Sequence, residues 1–347
     1  MSFFSNRKKL FSLTLWALIT LSGALFGKTV YTNKFVLESS RGTLPSISLP
    51  ANTLSLFSEP ETGITPVLNM LAGAQTSIDL IMYDFKDMAV AKALVAKHAD
   101  GVAVRVLLDH GYYGKPDKKN DDMFAYFQKN GVPVEWTPAT FALTHQKTIV
   151  VDNTKALIMT FNLTPQYYAT GRDFGIFDVD TKDVAAIEKT FTADWNKEQI
   201  GPQFGEDLVW SPNAENDLIT LIDSAKENLL VYNEEMADQK IITALEDAAS
   251  RGVSVQVVMT NAGNWRTAFV ALRNAGVSIH TFSGSKSLYI HAKMIIADES
   301  YGFVGSQNFS ANSLLKNREL GIFITDPTIL GSLEKTFAQD YANGKPF

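Results

Sequence analysis

The stretch LYIHAKMIIADESYGFVGSQNFSANSLLKNRE, Leu288 to Glu319, decides how this chain is read. It places His291 and Lys293 two residues apart, then Asp298, the turn Gly305-Ser306-Gln307-Asn308, and Glu319 after a polar loop. Tyr289-Ile290 before the pair and Met294-Ile295-Ile296 after it are apolar and largely of β type, so the pair falls in or beside a strand. Residues i and i+2 of a strand share a face, so both side chains point the same way. A histidine and a lysine converging on one spot suit an anionic group: one supplies a nucleophile or acid, the other a charge clamp. Alone, His-x-Lys more often marks a surface strand than a site.

It is not alone. Thr144-His145-Gln146-Lys147-Thr148-Ile149-Val150-Val151-Asp152 repeats the pattern, and Asn162 and Asp173 repeat the later polar positions. The pairs His145/His291, Lys147/Lys293, Asp152/Asp298, Asn162/Asn308 and Asp173/Glu319 are each separated by 146 residues. Five polar positions at one offset, without insertion, are a strong signal. On these residues the chain resembles the phospholipase D superfamily, whose signature is His-x-Lys-x4-Asp-x6-Gly-Ser-x-Asn. The second copy matches it throughout; the first reads Met159-Thr160-Phe161-Asn162 where Gly-Ser-x-Asn is expected.

The surrounding sequence is duplicated as well. Ser77–Tyr83 parallels Asn228–Tyr232, and Gly101–Leu108 parallels Gly252–Met259, each preceded by a helix (Ala89–His98, Lys240–Ala249) that runs into glycine. Helices Met123–Asn130 and Trp265–Asn274 lead to short strands Val132–Trp136 and Val277–Phe282. Lys189-Thr190-Phe191 with Asp194-Trp195 matches Lys335-Thr336-Phe337 with Asp340-Tyr341 as the closing helix. The expected fold is α/β, two duplicated sandwich domains related by a pseudo-twofold, with helices on both faces of each sheet. Residues 54–202 form the first domain and 203–347 the second, with the break in Gly201–Pro212. A pseudo-dimer within one chain implies a monomer.

One His-Lys pair is half a site; two copies can surround one phosphate. Phosphodiester cleavage needs a nucleophile, an acid for the leaving alcohol and positive charge for the phosphoryl oxygens. Two histidines can supply the first two roles. Lys147, Lys293, Asn162 and Asn308 would hold the non-bridging oxygens, assisted by the Ser306 and Thr160 hydroxyls. Asp173 and Glu319, each 28 residues after a motif histidine, can accept an imidazole N–H and fix its tautomer. Asp152 and Asp298 begin turns, where a structural role is at least as natural as a catalytic one. The resemblance implies a covalent phosphohistidine, with no metal ion or other cofactor, and favours His145 as nucleophile.

Residues 1–27 read as a signal peptide or membrane anchor: Arg7-Lys8-Lys9 precede an apolar run over residues 10–27. Export to the periplasm or beyond is therefore expected, with residues 28–53 as a tether. Cysteine is absent, which excludes disulfides and thiolate metal sites. The net charge of −6 counts against a protein that grips nucleic acid by its backbone. Polar loops near the motifs hold Tyr112, Tyr113, Lys119, Tyr167, Tyr168, Arg172, Lys286 and Arg318, which suit phospholipid headgroups at a membrane but equally a nucleic acid strand. A phospholipid hydrolase or transphosphatidylase is the first expectation, and a metal-independent nuclease acting on DNA or RNA the alternative. The third reading is a non-catalytic binding module, suggested by the lost Gly-Ser of the first copy.

Overall fold

A computed structural model of the protein describes residues 43–45, 47, 53–201, 205, 207–284 and 287–347. The apolar segment 1–27, most of the tether and Lys286 lie outside the described residues.

The first half comprises strands β1 (Leu54–Glu59), β2 (Ser77–Met82), β3 (Ala103–Leu108), β4 (Val134–Trp136), β5 (Lys147–Val151), β6 (Lys155–Met159) and β7 (Gly171–Asp178). Its helices are α1 (Thr65–Gly73), α2 (Met88–Ala99), α3 (Asp121–Lys129) and α4 (Thr181–Asn196). In the second half the strands are β8 (Leu208–Ser211), β9 (Asn228–Tyr232), β10 (Ser254–Thr260), β11 (Ser278–Phe282), β12 (Tyr289–Ile290), β13 (Met294–Ala297), β14 (Tyr301–Gly305), β15 (Glu319–Ile324) and β16 (Lys345–Pro346). Its helices are α5 (Ala214–Ser224), α6 (Gln239–Ser250), α7 (Arg266–Asn274), α8 (Ala311–Leu315) and α9 (Pro327–Asn343).

The sheet orders β1-β7-β6-β5-β2-β3-β4 and β8-β15-β14-β13-β9-β10-β11-β16 are the same topology twice. In both, the βα repeats build a parallel segment (β2-β3-β4, β9-β10-β11), and the motif strands add antiparallel to its edge. Local chemistry repeats too. Asp87 and Asp238 cap α2 and α6 through their side chains, and Gly101 and Gly252, at φ 91° and 93°, end those helices in the left-handed conformation that glycine adopts without a Cβ clash.

Helices lie on both faces of each sheet as expected, with α4 against β2, β5 and β6 and α9 against β10 on the inner side, and the inner faces also meet each other. α1–α3 cover the outer face of the first sheet and α5–α7 that of the second, each over its own apolar core. The inner faces share a third core, which joins Val150, Ile158, Phe174 and Ile176 to Met294, Ile296, Val304, Leu320 and Ile322, with α4 and α9 contributing Ile187 and Phe337. The boundary stretch Gly201–Pro212 holds β8, the edge strand that pairs with β15 in the second half's sheet. Its glycines and prolines hid a strand. Residues 41–347 form one compact unit, so the two repeats are halves of one body.

The halves clasp each other reciprocally. β12 of the second half pairs in parallel with Gly171–Arg172 of β7, and Thr144 bridges to Arg318 in the mirror arrangement. The Arg172 side chain donates to Asp340 at 2.6 Å and Arg318 to Asp194 at 2.9 Å, again matched positions exchanged between halves. Both arginines were expected at the mouth of the site. Arg172 is buried, and Arg318 donates to Asp194, so each spends its charge on the junction between halves. Satisfying the cation this way is what makes its burial tolerable.

Candidate active site

Backbone register places the catalytic candidates. The amides of His145 and Gln146 donate to the Arg318 carbonyl at 2.9 and 3.1 Å; those of His291 and Ala292 donate to the Arg172 carbonyl at 3.2 and 2.8 Å. Each motif histidine is thus fastened to the strand of the opposite half, one residue before that half's acid. The side chains follow. His145 Nδ1 lies 2.9 Å from Glu319 Oε2, and His291 Nδ1 lies 2.8 Å from Asp173 Oδ1. The acids thus serve the histidines crosswise, so neither half holds a complete pair. Sequence offset alone, equal for both copies, carried no sign of this exchange.

Lys147 and Lys293, the first residue of β5 and the residue before β13, are buried, and each donates to the carbonyl of its own motif histidine. Burial lowers the Lys147 pKa to about 7, with Glu319 opposing the shift and Lys293 adding to it. His145 is lowered to about 4 by burial and then by Lys147, against the pull of Glu319. Burial works against ionisation of Glu319, but His145 and Lys147 beside it, with the Ser313 hydroxyl, hold it below the ordinary range. A neutral His145 donating Nδ1–H to an ionised Glu319 accommodates both directions. It leaves Nε2 with a free lone pair, the form a nucleophile requires.

Three residues at the site escaped the sequence reading. Tyr83, just past β2, sets its ring 4.6 Å from that of His145 and 5.0 Å from Lys147 Nζ. Glu234, at the corresponding place past β9, accepts from Lys293 at 3.1 Å, from Asn308 at 3.3 Å and from the Tyr289 hydroxyl, and lies 3.4 Å from His291 Nε2. Burial opposes its ionisation, yet Lys293 and His291 hold its pKa well below the ordinary value. Glu59, at the end of β1, faces Asp173 across the sheet and is raised to about 7 by burial and by that neighbour. The available signal was two successive acids, Glu234-Glu235, at the carboxyl end of a parallel strand, where α/β proteins place their sites.

Other candidates lie where the fold needs them. The Thr160 and Ser306 hydroxyls, expected at the phosphate, are wholly buried. Thr160 donates to Asp173 at 2.6 Å and accepts from Phe174 N–H, while Ser306 accepts from Leu320 N–H. Thr160 therefore steadies the acid behind His291. Asp152 and Asp298 turn away from the motif histidines: Asp152 accepts from the amides of Gln75, Thr76 and Ser77, and Asp298 from those of Lys226, Glu227 and Asn228. These bonds pin the starts of β2 and β9 and lower the Asp152 pKa to about 2, outweighing its partial burial. Asn308 bonds Glu234 and Glu235, and Asn162 lines a cavity beside His291.

The divergent turn has a packing cause. A Cβ on Gly305 would meet Gln307 Oε1 at 2.4 Å, the Gly321 Cα at 2.6 Å and the Phe303 ring at 2.7 Å, and one on its partner Gly321 would meet that ring at 2.3 Å, so the crowded pair demands glycine at both places. In the first half Leu157 stands at the position matching Phe303 and Met159 at that matching Gly305, and both are buried.

Comparison with known proteins accords with this geometry. The family described as "Cardiolipin synthase, PLD-like domain" matches residues 67–195 and again 218–341. The chain belongs to the phospholipase D superfamily. Cardiolipin synthase 2 of Staphylococcus epidermidis is 23% identical over 337 residues, spanning 83% of this chain and 68% of its own length. The major cardiolipin synthase ClsA of Bacillus subtilis is 25% identical, over 85% of this chain and 70% of its own. Among solved structures, phosphatidylserine synthase of Haemophilus influenzae superposes with a TM-score of 0.70 at 12% identity, covering 88% of this chain and 89% of that one. Polyphosphate kinase of Porphyromonas gingivalis gives 0.65 at 16% identity, over 82% of this chain and 46% of its own. At such identities the structures establish a common phospholipase D fold. As a member of this superfamily the chain is an enzyme acting on phosphoric diesters.

Proposed function

We propose that the protein transfers or hydrolyses phospholipid phosphodiesters through a phosphohistidine formed on His145. The observation that carries the reading is the crossed pairing of His145 with Glu319 and His291 with Asp173, which makes one site from two half-motifs. The similarity to cardiolipin synthases supports a phospholipid as the diester.

In this reading His145 Nε2 attacks phosphorus, and the bond to the leaving alcohol breaks as His291 protonates its oxygen. Water or a second alcohol, deprotonated by His291, then attacks the phosphohistidine and restores both histidines. His291 suits the acid role because a carboxylate faces each ring nitrogen, Asp173 at Nδ1 and Glu234 at Nε2. Lys147, Lys293, Asn162 and Asn308 hold the non-bridging oxygens, the phosphate competing with Glu234 for Lys293 and Asn308.

The test is product analysis with mixed phospholipids, DNA and RNA, all in EDTA with ethanol added. Phosphatidic acid together with phosphatidylethanol is the expected outcome. Cleavage of nucleic acid without attack on lipid would overturn the lipid reading. Headgroup release without any transfer product at high ethanol would overturn the covalent route. We also propose export guided by residues 1–27; fractionation that finds the full chain in the cytosol would contradict it.

A further inference from the structure

We infer that Lys119 is a positioning residue for His145: it holds the ring of Tyr83 against the imidazole, and Asp109 anchors the loop that carries it. This rests on the proposed part of His145 in the chemistry and adds to that histidine a brace that its counterpart lacks.

Matched positions of the two halves show what has been added. Tyr83 and Glu234, and Asp109 and Thr260, stand 151 residues apart, as do the helix-ending Gly101 and Gly252. Asp109, just past β3, accepts the amide of Thr144, the residue before His145, at 2.7 Å. Thr260, the last residue of β10, accepts through its hydroxyl the amide of Ile290, the residue before His291, at 2.8 Å. One bond behind each histidine is thus made by a hydroxyl in the second half and by a carboxyl oxygen in the first. The acid brings a second oxygen, and that oxygen serves the loop beyond β3: it accepts the Gly111 amide at 2.9 Å and lies 3.6 Å from Lys119 Nζ. Burying an acid costs more than burying a hydroxyl, and Asp109 is only 1% exposed, so the loop it anchors has a use.

Lys119 supplies that use. The sequence places it among loop residues that would meet a headgroup, but its ammonium turns inward, where Nζ is buried and has no hydrogen-bond partner. It stands 3.4 Å from the centre of the Tyr83 ring, with Asp117 Oδ2 at 3.2 Å as a second countercharge. Burial works against its charge, but Tyr83, Asp109 and Asp117 together raise its pKa above the ordinary value. A cation on a ring face is held more strongly where water is excluded. The next residue fixes the spacing: the buried Asn120 side chain accepts from the Phe85 amide at 3.0 Å and donates to the Tyr83 and Asp109 carbonyls at 2.9 Å each. Pinned in this way, Tyr83 meets the His145 ring at 4.6 Å with 66° between the planes. Glu319 holds the imidazole at Nδ1 alone, which leaves the ring able to swing about that bond; Tyr83 on its flank removes the swing and fixes the bearing of Nε2. Small misplacements of a reacting atom cost rate steeply.

The test is single-turnover release of the leaving group from alkyl and nitrophenyl phosphodiesters by the full chain, with the melting temperature of every variant recorded. Lys119→Met, which keeps bulk and removes charge, and Tyr83→Leu, which removes the ring, should each slow release by about tenfold or more, with the half-saturating substrate concentration within about twofold of wild type. Lys119→Arg and Tyr83→Phe, which keep the cation and the ring, should stay within about threefold of wild type. Asp109→Thr, which copies the second half, should slow release by about fivefold. The double variant Lys119→Met with Tyr83→Leu should be no slower than Tyr83→Leu alone, because the lysine acts through the ring. Release indifferent to Lys119→Met, losses that multiply in the double variant, or an effect confined to the half-saturating concentration would overturn the inference. Slowing of the alkyl diester alone, with the double variant still no slower, would make His145 the acid: the role proposed for that histidine would fall and the brace would stand.

Discussion

The two halves have the same strand order, the same helix caps and the same motif, yet their histidines sit in different chemical surroundings. Around His145 stand Glu319, the Tyr83 ring and Lys147. Around His291 stand Asp173, Glu234 and Tyr289, with Glu59 next to Asp173. At matched positions Tyr83 faces Glu234, and in the strand register Ser211 opposite Glu319 answers Glu59 opposite Asp173. Duplication supplied two copies of one scaffold; divergence at three or four positions gave the two histidines different neighbours, on which the proposed split into nucleophile and acid rests. The strand crossing then ties each role to a residue of the opposite half.

The largest effects should come from the histidines themselves. His145→Ala and His291→Ala should each lower turnover of an alkyl diester by about 10⁴-fold or more, with circular dichroism and melting behaviour retained. Substantial activity in either single variant would break the shared-site account. Next, replacing Glu234 by tyrosine makes the second half resemble the first. Turnover should fall by about 10- to 100-fold, since His291 loses the carboxylate at Nε2. An unchanged rate would show that the asymmetry has no chemical consequence.

A third prediction concerns pH and stability. His145 has a pKa of about 4 in the folded protein, below its ordinary value of 6.5, so protonation favours the unfolded chain. The contribution is fully present above about pH 6.5 and is lost as pH falls toward 4, amounting to at most about 3 kcal/mol. His145→Gln should therefore lose less stability between pH 7 and pH 4.5 than the wild type in urea denaturation. Equal losses would mean that His145 titrates normally. The smallest effect is expected at Asp298→Ala, which removes three amide bonds at the start of β9: about 1 kcal/mol of stability, with kcat unchanged once the protein is folded. A large loss of kcat would return this acid to the catalytic machinery.

Much of this was legible before the structure. The constant 146-residue offset revealed the duplication, and helix–glycine–strand punctuation gave the βα order, because caps and period are local properties. Three things were not. β8 was concealed by Gly201, Pro202 and Pro212 around it and Ser211 at its end, since an edge strand of four residues has too short a period to detect. Arg172 and Arg318 looked like mouth residues because their partners, Asp340 and Asp194, lie more than 120 residues away in sequence. Glu234 sits outside any motif and owes its place to the end of β9, a tertiary fact that no spacing records.

Substrates that differ only in their leaving group test the crossed arrangement most directly. A nitrophenol departs without protonation, so it bypasses the acid but still needs the nucleophile. Single-turnover rates of leaving-group release, which end before His291 is needed to deprotonate water, should be measured for a nitrophenyl phosphodiester and an alkyl phosphodiester in Asp173→Asn and Glu319→Gln. If Asp173 serves His291 and Glu319 serves His145, Asp173→Asn will be severely impaired on the alkyl diester and largely restored on the nitrophenyl one, while Glu319→Gln will be impaired on both. The opposite pattern, with Glu319→Gln restored and Asp173→Asn not, would contradict the account.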